Sequence, residues 1–137
     1  MARIESRARA RALQALYAWD VRGEGGLERV ATQTWDDLAI GPEERKFASQ
    51  IVGVIVRDRE RIDRELGDVT TNWRLERLGA VDRSVLRLAA AELTRGETPP
   101  KVVIQEAVRL AERYGSAQSA RFVNGVIDAL ARQMGRL

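Results

Sequence analysis

The stretch Arg3-Ile4-Glu5-Ser6-Arg7-Ala8-Arg9-Ala10-Arg11-Ala12-Leu13-Gln14-Ala15-Leu16-Tyr17-Ala18-Trp19 decides the fold class. Ala8, Ala12, Leu16 and Trp19 recur at helical spacing with Leu13 beside them, which makes one stripe of an amphipathic helix. At about 100° per residue, Arg3, Arg7, Arg11 and Gln14 cluster opposite that stripe and Tyr17 lies at its border. One face buries; the other presents guanidinium groups. Gly23, Gly25 and Gly26 stop the helix, and Ser6 is its N-cap if it starts late.

The same period continues outward, and strand-like alternation is nearly absent. Leu27, Val30, Ala31, Thr34, Trp35 and Leu38 make a second helix. Gly41-Pro42-Glu43-Glu44 opens a third, with proline in the first helical position and acids in the first turn. Its buried stripe is Phe47, Ile51, Val54, Ile55, Ile62 and Leu66, and the charged run from Arg57 to Glu65 reads most simply as its solvated face. Gly67-Asp68-Val69-Thr70-Thr71-Asn72 is a polar internal boundary. A short helix over 73–78 follows, then one through Val81, Val85, Leu88, Ala89 and Leu93, where Asp82 is a candidate cap. Beyond Gly96-Glu97-Thr98-Pro99-Pro100 a helix buries Val103, Ala107, Leu110, Ala111 and Tyr114, and Gly115 ends it. Ser116 caps the last, with Phe122, Val123, Val126, Ile127 and Leu130 inward. The expectation is an all-α chain of about seven helices in two halves of one domain, roughly 1–66 and 72–137.

Composition narrows the chemistry. The 137 residues, 45% of them hydrophobic, suffice to bury a core. There is no Cys and no His, which excludes disulfides, Cys/His zinc sites, thiolate nucleophiles and imidazole acid–base catalysis. Nor is there a Gly-rich phosphate loop, an activated Ser or Lys, a carboxylate pair or a metal-ligand spacing, so no enzyme, cofactor or metal is expected. No apolar run approaches the roughly 18 residues of a membrane span, and the N-terminus lacks the apolar region of a signal peptide, so the protein reads as cytoplasmic.

Lys and Arg number 23 against 20 Asp and Glu, a formal excess of +3. Residues 1–11 carry an equal excess alone, with Arg3, Arg7, Arg9 and Arg11 against Glu5. A helix N-terminus already bears partial positive charge, so each cation in its first turns is unfavourable by about 0.3–1 kcal/mol. A compensating charge outside the helix is expected, with nucleic acid the leading candidate and an ordinary solvated arginine face the alternative. Only Lys46 and Lys101 are lysine; codon usage explains that bias more simply than selection for the guanidinium fork. At the start of the last helix, Gln118, Arg121 and Phe122 combine an amide, a cation and an aromatic ring suited to a nucleotide. Gly125 inside that helix costs about 1 kcal/mol relative to alanine. A tight helix crossing with a satisfied Asn124 is the favoured account of Asn124 and Gly125. Glu92 and Glu106 are the expected internal counter-ions for arginines.

Three separated blocks resemble the NusB family of bacterial transcription antitermination factors. They are Ala8 to Trp19, then Leu78 to Ala89 with Glu92-Leu93, and then Pro99 to Ala107 leading to Arg121-Phe122-Val123-Asn124-Gly125-Val126. The resemblance implies two packed three-helix bundles and no enzymatic activity. It implies binding of the single-stranded boxA element in nascent ribosomal RNA leader transcripts, together with NusE, a small-subunit ribosomal protein, within the RNA polymerase antitermination complex. By position it assigns RNA contact to Arg7, Arg9, Arg11, Gln14 and Tyr17 and to Gln118, Arg121 and Phe122; Arg3 joins them from the helical wheel. Glu76, Asp82 and Arg83 fall where the family meets RNA or NusE. Some members form homodimers that cover the RNA face, which leaves dimerisation open here. Glu5-Ser6 interrupts the basic run usual in relatives, and Ala91 stands where many have an aromatic residue. Two rival functions remain: an RNA-binding module like that of ribosomal RNA cytosine methyltransferases, and a NusE-docking protein without RNA contact.

Overall fold

The chain's start and stop signals act largely where the sequence places them. The computed structural model describes residues 2–70 and 73–137; Thr71 and Asn72 of the expected boundary lie outside the described residues. Among the described residues six α-helices form: α1 (Ala2–Arg22), α2 (Leu27–Leu38), α3 (Pro42–Val69), α4 (Ala80–Arg95), α5 (Pro100–Tyr114) and α6 (Ser119–Gln133), with a 3-10 turn at Leu75–Arg77. No strand occurs among the described residues. Pro42 and Pro100 stand in the first turns of α3 and α5, where a missing N–H costs nothing. Gly96 closes α4 in the left-handed conformation, φ 75°, its N–H donating to the Glu92 carbonyl.

Three helices pack together in each half. α1 lies against α2 and α3, and α4 against α5 and α6; α4 also packs on both α1 and α3, joining the halves. The α3 stripe is buried as its period demands, from Ile51 through Ile55 and Ile62 to Leu66. Each such side chain contributes about 1.5–3 kcal/mol by leaving water. α3 kinks at Asp58, and runs three residues past the expected end at 66 before the Thr70 hydroxyl donates to the Leu66 carbonyl at 2.8 Å.

Several local expectations give way. α1 already begins at Ala2, so Ser6 is not its cap; the Ser6 hydroxyl donates instead to the Glu106 carboxylate on α5. Gly79, not Asp82, precedes α4 as its N-cap. At α6 the N-cap is Gln118, and the Ser119 hydroxyl accepts from the Ser116 N–H at 2.9 Å. Tyr114 and Leu38 are exposed, because each sits on the last turn of its helix, beyond the neighbouring helices. The tight crossing expected at Asn124 and Gly125 is absent: both face solvent, and a methyl group built on Gly125 meets nothing within 4 Å.

The crowded glycine is Gly115, where a Cβ would come within 2.6 Å of the Ser119 Oγ and 2.8 Å of the Ala111 carbonyl. Gly115→Ala is therefore expected to destabilise the chain by about 1–3 kcal/mol through overpacking. Gly125→Ala should instead stabilise it by about 1 kcal/mol, because helix propensity is gained with no clash. Thermal denaturation of the two variants checks both, and equal melting temperatures would contradict the packing described.

Candidate nucleic-acid interface

Only part of the arginine-rich opening of α1 is free to meet a ligand. Arg9 is 3% exposed. Its Nε donates to Glu92 Oε1 at 2.8 Å, its Nη2 to Glu92 Oε2, and its Nη1 to Glu106 Oε1 at 2.7 Å. The guanidinium also lies 5.2 Å from the centre of the Phe47 ring. Burial works against the charged form, but the hydrogen bonds and charges of Glu92 and then Glu106 outweigh it and hold the Arg9 pKa above its ordinary value. Arg9 thus cannot face RNA as its place in the basic run implied; it bridges α1 to α4 and α5. Glu92 and Glu106 are the internal counter-ions expected of them.

The electrostatic puzzle at the helix start also shrinks. Dipole effects fade within the first turn, and only Arg3 lies there, beside Glu5. Arg11 donates from Nε to Glu44 Oε1 at 3.2 Å and from Nη1 to the Gln14 amide oxygen at 3.2 Å. Arg7 approaches the same Glu44 at 3.7 Å while remaining well exposed. One carboxylate thus serves two guanidinium groups, and Arg3 adds a further exposed cation. Tyr17, 44% exposed, continues this face toward the end of α1. From Arg3 to Tyr17 the face runs about 20 Å at the α-helical rise.

At the far end of α1 the charges are again spoken for. Asp20 accepts from Arg83 Nε and Nη2, both at 2.8 Å, and Arg83 Nη1 donates to the carbonyls of Leu75 at 3.1 Å and Leu78 at 2.6 Å. The hydrogen bond that Arg83 donates to Asp20 raises its pKa most, against the effect of burial. Arg83 therefore holds α1, the 3-10 turn and α4 together, with only the edge of its side chain reaching the surface. Arg87 binds Asp63 of α3 at 2.9 Å and 3.0 Å. Glu76 is exposed, loosely paired with Arg74 at 3.8 Å, and Asp82 is half-buried in the first turn of α4. Gln118 and Arg121 face solvent at the start of α6. Phe122 is half-buried, its ring edge-on to Trp73 with centroids 6.4 Å apart.

The end of the α1 face and the start of α6 are thereby joined on a connected surface, from which the buried Arg9 is excluded. Tyr17 and Asp20 are neighbours three residues apart on α1; Asp20 and Trp73 line one cleft; and Trp73 touches Phe122. Trp73 lies on this surface and was not singled out from the sequence. Its signal was a large aromatic inside a polar turn-forming segment, with no apolar stripe to claim it.

A family model described as the NusB family matches residues 6–132. The chain belongs to the NusB family. It is 44% identical over 133 residues to the transcription antitermination protein NusB of Sorangium cellulosum, covering 96% of this chain and 94% of that one. It is 46% identical over 129 residues to NusB of Anaeromyxobacter dehalogenans, covering 92% and 89%. Among solved structures, T. maritima NusB superposes with a TM-score of 0.87 at 32% identity, covering 94% and 91%. A structure of antitermination factors NusB and NusE in complex with dsRNA gives 0.88 at 31%, covering 97% and 99%. The relatives are transcription antitermination proteins, and a chain of this family is not an enzyme.

Removing Arg9 strands two buried carboxylates. Arg9→Met is expected to cost about 3–5 kcal/mol of unfolding free energy, whereas the triple variant Arg9→Met, Glu92→Leu, Glu106→Leu should recover most of it. Urea denaturation of both measures this; a single variant as stable as the parent would show that the triad does not hold the halves together.

Proposed function

We propose that this chain binds a single-stranded boxA element of nascent ribosomal RNA leader transcripts as a heterodimer with NusE, and so acts in the cytoplasm as an antitermination factor supporting processive ribosomal RNA transcription. Family membership and the likeness to a NusB–NusE–RNA complex support the general activity. The carrying observation is the division of labour among the arginines. Arg9 and Arg83 are consumed inside the fold, while Arg3, Arg7 and Arg121 stay exposed beside Gln14, Tyr17, Gln118 and Phe122.

In this assignment the exposed guanidinium groups grip phosphates and supply affinity, whereas the amides and rings meet bases and supply selectivity. Half-open aromatic rings suit unstacked bases, which a duplex does not offer; that favours a single-stranded target. Glu76 and Asp82, close to the 3-10 turn and the start of α4, are the proposed acidic contacts to NusE.

Fluorescence anisotropy with a boxA-like RNA and a scrambled RNA, with and without NusE, tests the assignment; equal binding of the two RNAs under all conditions refutes sequence recognition. Arg7→Ala and Arg121→Ala are each expected to lower the slope of log affinity against log salt by about 0.7, one single-strand phosphate contact apiece. Arg132→Ala, on the last turn of α6 and paired to Asp128, should leave the slope unchanged. Identical slopes in all three variants would remove Arg7 and Arg121 from the phosphate face.

A further inference from the structure

Between the end of α1, the second half of α3, the 3-10 turn and the start of α4 lies a cleft of about 1060 Å³. Two tryptophans line it, and they differ in availability. The Trp19 ring has the Arg59 guanidinium at 5.2 Å and that of Arg87 at 5.4 Å from its centre, so its π-surface is already occupied. Trp73 is 60% exposed, and its only aromatic contact among the described residues is the edge-on one with Phe122 at an interplanar angle of 77°. Packed against Phe122 on one side, the ring keeps most of its surface accessible where it lines the cleft.

The polar lining points to the kind of occupant. Arg83 is neutralised by Asp20 and Arg87 by Asp63, so the cleft interior carries balanced charge and offers little to a bare phosphate. A purely apolar side chain would desolvate these pairs without replacing their contacts with water. A flat group with one π-face and a polar edge satisfies both constraints. At the rim Arg59, over the Trp19 ring, and Arg74, in a loose and solvated pair with Glu76 at 3.8 Å, are the exposed cations, and a phosphate flanking such a group would compete with those contacts.

We propose that this cleft is a second base-binding subsite, in which an unpaired nucleobase of the bound RNA stacks on the open face of Trp73 as the strand continues past Phe122. It rests on the RNA-binding function proposed above and extends the footprint to Trp73, which that function does not use, beside Glu76, which it assigns to NusE. Base–aromatic stacking is tolerant of sequence, since every base presents a π-face. The subsite therefore lengthens the bound segment more than it refines the choice of sequence.

The test uses the full chain with NusE and three RNAs: a boxA-like core alone, the core extended by three unpaired nucleotides at its 5′ end, and the core extended likewise at its 3′ end. The parent is expected to bind one extended RNA about tenfold more tightly than the core, within the range of one stacked base. Trp73→Ala should bring that ratio to about one, and Trp73→Tyr should restore most of it. A 4-thiouridine in the extension should crosslink to Trp73 in the parent. A ratio unchanged by Trp73→Ala, or no gain from either extension in the parent, overturns the subsite while leaving core RNA recognition intact. Failure of the parent to bind even the core RNA defeats both assignments. Loss of NusE affinity in Trp73→Ala without RNA would mark the cleft as a protein-docking surface and likewise overturn the proposal. Trp73 is exposed, and matching circular dichroism melts exclude unfolding as the cause of any loss.

Discussion

One buried guanidinium governs how the opening helix sits in the molecule. Arg9 of α1 is held between Glu92 of α4 and Glu106 of α5, with Ser6 donating to Glu106 and Thr98 to Glu92 at 2.8 Å. Two carboxylates and one cation would leave net negative charge in the core, and Arg109 approaches Glu106 from the rim at 3.5 Å to offset it. Residues two apart point about 200° apart on a helix. Turning Arg9 inward therefore turns Arg7 outward, and with it the row Arg3, Gln14 and Tyr17. The orientation of the candidate RNA face is thus a consequence of a contact on the opposite side of the same helix.

A second charged cluster does equivalent work at the other end of α1. Asp20 takes both forks of Arg83, Arg87 bridges Asp20 and Asp63, and the Trp19 ring lies under the guanidinium groups of Arg59 and Arg87. Arginine suits these roles because its planar fork meets a carboxylate with two parallel hydrogen bonds and also stacks on an aromatic face. Much of the chain's arginine content is therefore architectural. α1 is pinned at both ends, and its exposed stripe is presented as a rigid edge, which lowers the ordering cost of binding a flexible strand.

What remains for a ligand is a sparse set of cations interleaved with aromatic rings. Arg3 and Arg7 lie along α1, Arg121 at the start of α6, and Tyr17, Trp73 and Phe122 between them on a surface that runs over the cleft. Few phosphate contacts mean modest non-specific affinity. In the RNA-binding function proposed above, discrimination then depends on stacking and base edges.

The helices were legible before any coordinates because their causes are local: 3.6-residue periodicity, prolines at helix starts and glycines at helix ends act within a few residues. The core stripe of α3 and the pairing capacity of Glu92 and Glu106 were legible for the same reason. The fate of each arginine was not. Arg7 and Arg9 are chemically identical neighbours in sequence, and only carboxylates 83 and 97 residues away decide that one is buried and the other free. Gly125 looked like a packing glycine but faces solvent, whereas Gly115, which looked like a simple helix stop, is the one enclosed by Ser119 and Ala111. Trp73 acquired meaning only when folding set it against Phe122 at the edge of a cleft. Sequence alone determined an all-α chain and the family it belongs to, because periodicity and motif blocks are carried by the chain itself. Tertiary structure decided which charges and rings are spent inside and which are left for a ligand, because burial and pairing are properties of helices meeting in space.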